Sequence, residues 1–167
     1  MTTLTLTKHH GLGNDFVIAL EEVNGPLHGD ATLARALCDR RRGIGADGLI
    51  IGSRPAADAT GPNGKPIDVV MHLWNADGSR AEMSGNGIRC LVQAAHWHIA
   101  GPGGEPATYI VDTDAGERTV SVESDWADGE LHISVDMGCV TDLPEPQNWA
   151  SLGCNPDRPV RHVSMGN

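Results

Sequence analysis

The segment NADGSRAEMSGNGIRC, residues 75–90, constrains the chain more than any other part of it. Its GNG triplet, residues 85–87, stands where an apolar predicted strand gives way to a predicted helix. Glycine permits a tight turn and close approach of a ligand, and the first amide hydrogens of a helix have no partner within it. These amides and the helix dipole predict a carboxylate or phosphate site, to which Asn75 and Asn86 add neutral polar groups. The alternative is a helix start that only caps itself, with Ser84 as N-cap.

Two further glycine-rich segments favour a binding cleft. HGLGNDF, residues 10–16, places Asn14 and Asp15 at the start of a predicted strand. It is not a dinucleotide fingerprint, because the third glycine is absent and a strand follows where that motif needs a helix. RRGIGADGLI, residues 41–50, again places glycines between a helix and a strand. Three such loops predict one shared cleft.

In their order along the chain and at their separations, the three segments resemble the N-terminal half of diaminopimelate epimerase, and the resemblance runs from about Lys8 to Asn167. The resemblance implies an α+β fold of two pseudo-symmetric domains, each a β-barrel-like sheet wrapped around a central helix, with the site between them. It also implies a cofactor-independent epimerase that converts LL-diaminopimelate to meso-diaminopimelate for lysine and the cell wall. One cysteine removes the α-proton and a second, on the opposite face, returns one.

The resemblance assigns substrate binding to a set of small and amide residues and places the first catalytic cysteine directly before the GNG triplet. The substrate-binding set is Asn14, Asn75, Gly85, Asn86 and Asn167. This chain has Ser84 at the cysteine position, and a serine hydroxyl without a neighbouring base is a poor proton acceptor. Cys90 lies six residues further along the helix and faces elsewhere. Gly48 stands where some relatives carry a glutamine that contacts substrate.

The resemblance also predicts the domain organisation. Residues 1–135 would form the N-terminal domain and residues 136–167 the start of a truncated second domain. The second catalytic cysteine and a substrate-binding glutamate and arginine of the family are absent, so the expected partner is the missing C-terminal half or a second chain. The resemblance also allows a homodimer.

Two other functions remain open at this stage. The first is a non-catalytic amino-acid-binding or regulatory protein of the same fold, in which loss of the thiol has left recognition without chemistry. The second, weaker one is a phenazine-biosynthesis-like isomerase or proline racemase, whose families lack the full NADGS and GNG pairing.

Composition argues against several other partners. The net charge of −10 disfavours nucleic acid and anionic membranes. No apolar run approaches the roughly eighteen residues of a membrane span, and the N-terminus does not resemble a signal peptide, which predicts a cytoplasmic protein. The four cysteines show no C-x-x-C spacing, and His96 and His98 fall on different helix faces, so neither a metal site nor a redox pair is expected. That no cofactor is needed is implied by the resemblance.

Hydrophobic periodicity and turn residues predict the secondary structure. Helices are expected from Ala31 to Arg41, with Asp30 as N-cap, and from Gly85 to Ile99. The second helix carries Ile88, Leu91, Val92 and Ala95 at helical spacing, which predicts that one side of it is buried. Strands are expected near Leu4 to Lys8, Phe16 to Leu20, Gly48 to Ile51, Asp68 to Trp74, Thr108 to Thr113, Arg118 to Glu123 and Glu130 to Asp136.

Overall fold

A computed structural model describes residues 3–61, 64–101, 104–125, 131–145, 153 and 161–164. The strands are β1 (Thr7–Gly11), β2 (Asn14–Leu20), β3 (Gly48–Ser53), β4 (Val69–Asn75), β5 (Arg80–Ala81), β6 (Ala107–Asp112), β7 (Arg118–Asp125), β8 (Leu131–Val135), β9 (Thr141–Asp142) and β10 (Val163–Ser164). The helices are α1 (Glu21–Asn24), α2 (Ala31–Cys38) and α3 (Gly85–Ala100).

The main sheet wraps around α3. Its strand order is β1-β2-β3-β4-β6-β7-β8, with β5 paired to β4. The β2–β3 and β4–β6 pairs are parallel, and the other pairs are antiparallel. Strands from both ends of the sheet, β1 and β8, contact the same helix, so the sheet curls around it. The predicted α+β fold, a β-barrel-like sheet around a central helix, is confirmed.

The core lies between α3 and the inner face of this sheet. The predicted apolar face of the helix, Ile88, Leu91, Val92 and Ala95, is buried. Ile88, Leu91 and Val92 pack in one cluster with side chains of the sheet such as Ile18 and Met71. A second cluster fills the other face of the sheet, where α2 covers it. Burial on both faces explains why β2 and β3 read as continuous apolar runs rather than alternating ones.

The structure corrects the bounds of two predicted elements. Asp30 caps α2 as predicted, accepting from the amides of Thr32 and Leu33, but the helix ends at Cys38 rather than at Arg41. It ends there because Asp39 takes an extended conformation and its carboxylate accepts from the next two free amides. The first strand begins at Thr7 rather than at Leu4.

The short elements α1, β5, β9 and β10 were not predicted. Strands β9 and β10 form a separate two-stranded sheet, in which Arg161 pairs with Asp142. The domain division at residue 136 stays a prediction, and Asn167 lies outside the described residues. Within the described part of the chain, none of the helices is both long enough and apolar enough to cross a bilayer.

Candidate active site at the N-terminal end of helix α3

The predicted site residues that the structure describes gather at one end of the main sheet. Asn14 is the first residue of β2, and Asn75 is the last residue of β4. Gly48 begins β3 and pairs with Phe16 on one side and with Asn75 on the other. Since β4 runs against β2 and β3, all of these positions lie at the same end of the sheet.

The N-terminal turn of α3 meets this end of the sheet through Asn86. A Cβ atom on Gly11 would lie 3.3 Å from the Asn86 side chain, so glycine allows the close approach of β1. The Asn86 Nδ2 donates to Asn14 Oδ1 at 3.4 Å, and Arg89 donates to Asn86 Oδ1. Asn14 and Asn86, 72 residues apart in sequence, are therefore brought into contact.

Ser84 is the N-cap of α3, as the alternative prediction for this segment states. Its Oγ accepts from the Gly87 amide at 3.1 Å, and its carbonyl accepts from the Ile88 amide at 2.8 Å. The amides of Gly85 and Asn86 lie in the first turn, where an α-helix provides no carbonyl acceptor. Ser84, Gly85 and Asn86 are each half-buried. The Ser84 side chain therefore caps the Gly87 amide, and the helix itself offers no acceptor to the amides of Gly85 and Asn86.

Neither Ser84 nor Cys90 has the surroundings of an activated proton acceptor. Among the hydrogen bonds of the described residues, Ser84 Oγ has none to a histidine or a carboxylate. Cys90 is 1% exposed within the core cluster, and burial raises its pKa to about 11. A buried thiol of that pKa is not ionised near neutrality, so Cys90 does not replace a thiolate at the helix start.

A cluster of ion pairs lies beside Asn14. The Arg40 guanidinium contacts Asp15 Oδ1 at 2.6 Å and Asp47 Oδ1 at 2.9 Å, and Lys8 Nζ lies 3.0 Å from Asp15 Oδ2. The run of Arg40, Arg41 and Arg42 predicts a solvated helix end, where cations suit the helix dipole, whereas Arg40 forms ion pairs with both aspartates. The guanidinium of Arg40, helped by Lys8, holds the pKa of Asp15 well below its usual range.

Asn75 and Gly48 complete this end of the sheet. The Asn75 Nδ2 donates to Ser79 Oγ at 3.0 Å, and the Asn75 side chain is exposed. A Cβ atom on Gly48 would lie 2.8 Å from the Trp74 carbonyl oxygen and 3.1 Å from the Phe16 ring. A glutamine at position 48 would therefore need these neighbours to shift. No three metal-binding side chains come together among the described residues.

The lowered pKa of Asp15 predicts an acid-dependent loss of stability. A carboxylate whose folded pKa is depressed stabilises the fold above its unfolded pKa of about 3.9, and the benefit disappears as pH falls further. We expect Asp15→Asn to lower the free energy of unfolding at pH 7 and the difference from wild type to shrink below about pH 4. Urea denaturation across this pH range measures it. The control is Asp58→Asn on an exposed loop residue, and a pH-independent difference for Asp15→Asn would contradict the prediction.

Comparison with known proteins places the chain in a family. The sequence profile described as "Diaminopimelate epimerase" matches residues 6–142. The diaminopimelate epimerase of Methanocella arvoryzae is 36% identical over 159 residues, which are 93% of this chain and 50% of that protein. The enzyme of Thermobifida fusca is 40% identical over 169 residues, 98% of this chain and 57% of that protein. The chain spans about half the length of the curated relatives it matches.

Solved structures support the fold. A hydroxyproline epimerase from Agrobacterium vitis, with bound trans-4-OH-L-proline, superposes with a TM-score of 0.53 at 17% identity. That match covers 82% of this chain and 42% of the other. A probable proline racemase from Agrobacterium radiobacter gives a TM-score of 0.50, also at 17% identity, over 87% of this chain and 46% of that one. At this identity the likeness shows a shared fold.

Proposed function

The chain belongs to the diaminopimelate epimerase family, and from that membership we propose that it forms the N-terminal half of a cofactor-independent epimerase acting on diaminopimelate. In this proposal Asn14, Asn75, Gly85, Asn86 and Asn167 bind substrate, and Ser84 occupies the position of one acid/base residue. A second half, on the same or another chain, supplies the opposite face of the site.

The contact between Asn14 and Asn86 at the start of α3 is the observation that carries this proposal. The helix start offers amide donors and a positive dipole to a carboxylate. Arg89, which contacts Asn86, adds a positive charge beside it. Removal of an α-proton places negative charge next to the substrate carboxylate, and donors fixed in advance stabilise that charge without reorganising.

The engaged hydroxyl of Ser84 supports a second candidate function, ligand binding without chemistry. Its Oγ already accepts from the Gly87 amide, and no base lies in hydrogen-bond contact with it among the described residues. A protein that keeps the amide site but lacks the thiolate binds an amino acid without inverting it. The two candidates share the carboxylate site and differ only in the chemistry at position 84.

Titration with meso-diaminopimelate tests the shared site in the completed protein, which is this chain joined to the C-terminal remainder of the Thermobifida fusca relative, because the proposal takes the opposite face of the site from a second half. We expect the ligand to shift the backbone amide signals of Gly85, Asn86 and Gly87 in the ¹⁵N-labelled chain more than those of β7. We expect Asn86→Asp to weaken binding about tenfold or more, because like charges placed together repel. The fold should survive, since a carboxylate is favourable at a helix N-terminus.

Thr108→Glu is the matched control, because it adds the same charge at an exposed position on β6. Equal weakening by both variants would show that net charge, rather than the helix start, governs binding. Shifts confined to other parts of the chain would refute the site.

A further inference from the structure

Asp47 joins the three glycine-rich segments that build the site. It lies in the third of them, between α2 and β3. Its amide donates to the Asp15 carbonyl at 2.9 Å, and its carbonyl accepts from the Ala76 amide at 2.9 Å. Ala76 directly follows Asn75. These main-chain bonds fix the Asp47 backbone between the Asn14 and Asn75 segments, whatever its side chain does.

The Asp47 carboxylate is directed at Asn14. Its Oδ2 accepts from Asn14 Nδ2 at 2.6 Å and from the Asp15 amide at 3.1 Å. Its Oδ1 accepts from Arg40 Nη2 at 2.9 Å. Both oxygens are therefore used, and Arg40 binds the oxygen that Asn14 does not. A charged acceptor at 2.6 Å makes the bond to Asn14 one of the stronger hydrogen bonds of this region.

This bond decides which way the Asn14 side-chain amide faces. An ionised carboxylate only accepts hydrogen bonds, so the amide must turn its NH₂ group towards Asp47. The Asn14 oxygen then faces Asn86, which donates to it at 3.4 Å. The opposite orientation would set the Asn14 oxygen against a carboxylate oxygen and its NH₂ group against that of Asn86.

The ion-pair cluster orients the Asn14 amide without adding net negative charge beside the helix start. Two carboxylates, those of Asp15 and Asp47, lie against two cations, Arg40 and Lys8. A lone aspartate beside the helix start would repel a carboxylate ligand. Paired in this way, Asp47 can orient an amide while the helix start stays attractive to an anion.

We propose that Asp47 is a positioning residue, whose carboxylate fixes the Asn14 amide with its oxygen towards Asn86 and so sets the polar face that the site offers to its ligand. The effect on ligand affinity rests on the proposed function. The orientation of Asn14 does not, so the two parts can fail separately.

Solvent exchange of the Asn14 side-chain amide hydrogens tests the orientation in the ¹⁵N-labelled chain. We expect slow exchange in the wild type and at least about tenfold faster exchange in Asp47→Ala, because a charge-assisted bond is lost. Asp47→Asn keeps the shape and one acceptor oxygen, so its exchange should be intermediate, and it carries the test if Asp47→Ala does not fold. Exchange unchanged from wild type in both variants would overturn the proposal.

Glu22→Gln is the matched control. Glu22 and Arg54 form an ion pair of 2.6 Å beyond the other end of β2, so the variant removes a carboxylate–arginine pair far from Asn14. It should leave Asn14 exchange at the wild-type rate. Acceleration equal to that of Asp47→Ala would show a general loosening of the fold and overturn the positioning role.

Titration of the completed protein with meso-diaminopimelate tests the effect on ligand affinity. We expect Asp47→Ala to weaken affinity about tenfold, since small misplacements of binding groups are costly, and Glu22→Gln to leave it unchanged. Faster exchange of the Asn14 side-chain amide hydrogens with unaltered ligand affinity would overturn the positioning role. Normal Asn14 exchange, together with no ligand binding by the completed wild-type protein, would instead overturn the proposed function.

Discussion

Ser84→Cys should raise the rate at which the completed protein inverts diaminopimelate about a thousandfold, the scale of a well-placed general acid or base. The completed protein is this chain joined at its last residue to the remaining sequence of the Thermobifida fusca relative, of which the chain covers 57%. The gain follows from the cap geometry. Position 84 precedes the first turn of α3 and directs its side-chain atom at the Gly87 amide.

A thiol in this place becomes a base because its anion is stabilised. A cysteine at a helix N-terminus has a lowered pKa, so a useful fraction is thiolate near neutral pH. The thiolate takes the α-proton, its sulfur becomes a thiol, and the electron pair stays on the α-carbon beside the carboxylate. The serine hydroxyl cannot do this without a neighbouring base. Cysteine is also a poorer cap, so we expect a loss of about 1 kcal/mol in stability alongside the gain in rate.

Incubation of each stereoisomer in heavy water separates the two faces of the site. With Ser84, the stereoisomer whose α-hydrogen faces the second half should exchange that hydrogen while inversion stays blocked. With cysteine, both stereoisomers should exchange and invert. Ser84→Ala is the control for loss of the cap. Adding Cys139→Ser to the cysteine form removes the one exposed thiol among the described residues. Equal inversion by the serine and cysteine forms would remove position 84 from the mechanism.

The fold could be predicted from the sequence wherever one local pattern decided it. The apolar face of α3 repeats at helical spacing, and Asp30 carries the capping side chain at the start of α2. Both predictions are confirmed. The end of α2 could not be predicted in this way, because an alanine-rich run followed by three arginines is compatible with further helix. The hydrogen bonds of Asp39 to two amides ended it, and a side chain that competes with the backbone leaves little periodic signal.

The meeting of two neutral residues at the candidate site could be predicted from the sequence, whereas the arrangement of the charged residues beside them could not. Asn14 and Asn86 lie beside glycines in segments that resemble diaminopimelate epimerase, and the structure brings them into contact. The role of Arg40 depends on strand register. Phe16 pairs with Gly48 in the parallel β2–β3 pair, so Asp15 and Asp47 come side by side. Two neighbouring carboxylates need a cation, and Arg40 supplies it. The sequence alone does not show which residues of β2 and β3 pair, so this role of Arg40 could not be predicted.

Leu91→Ala should lower the free energy of unfolding by about 3 to 5 kcal/mol, because it removes a buried side chain from the centre of the fold. Leu91 is 0% exposed and packs in the cluster between α3 and the sheet. The cost of such a change depends on how far the surroundings can collapse into the cavity. Strands at both ends of the sheet contact α3, so the walls around Leu91 are held from opposite sides and cannot close easily.

Urea denaturation of the variant and of Ile99→Ala measures this effect against a control on the same helix. Ile99 is 70% exposed in the last turn of α3, and its truncation should cost less than about 0.5 kcal/mol. Equal losses would mean that burial inside the curled sheet does not set the cost at Leu91, since alanine favours the helix at both positions. A large loss at Leu91 alone would show that burial inside the curled sheet holds α3 in place. This is the helix whose N-terminal turn contacts Asn14 through Asn86.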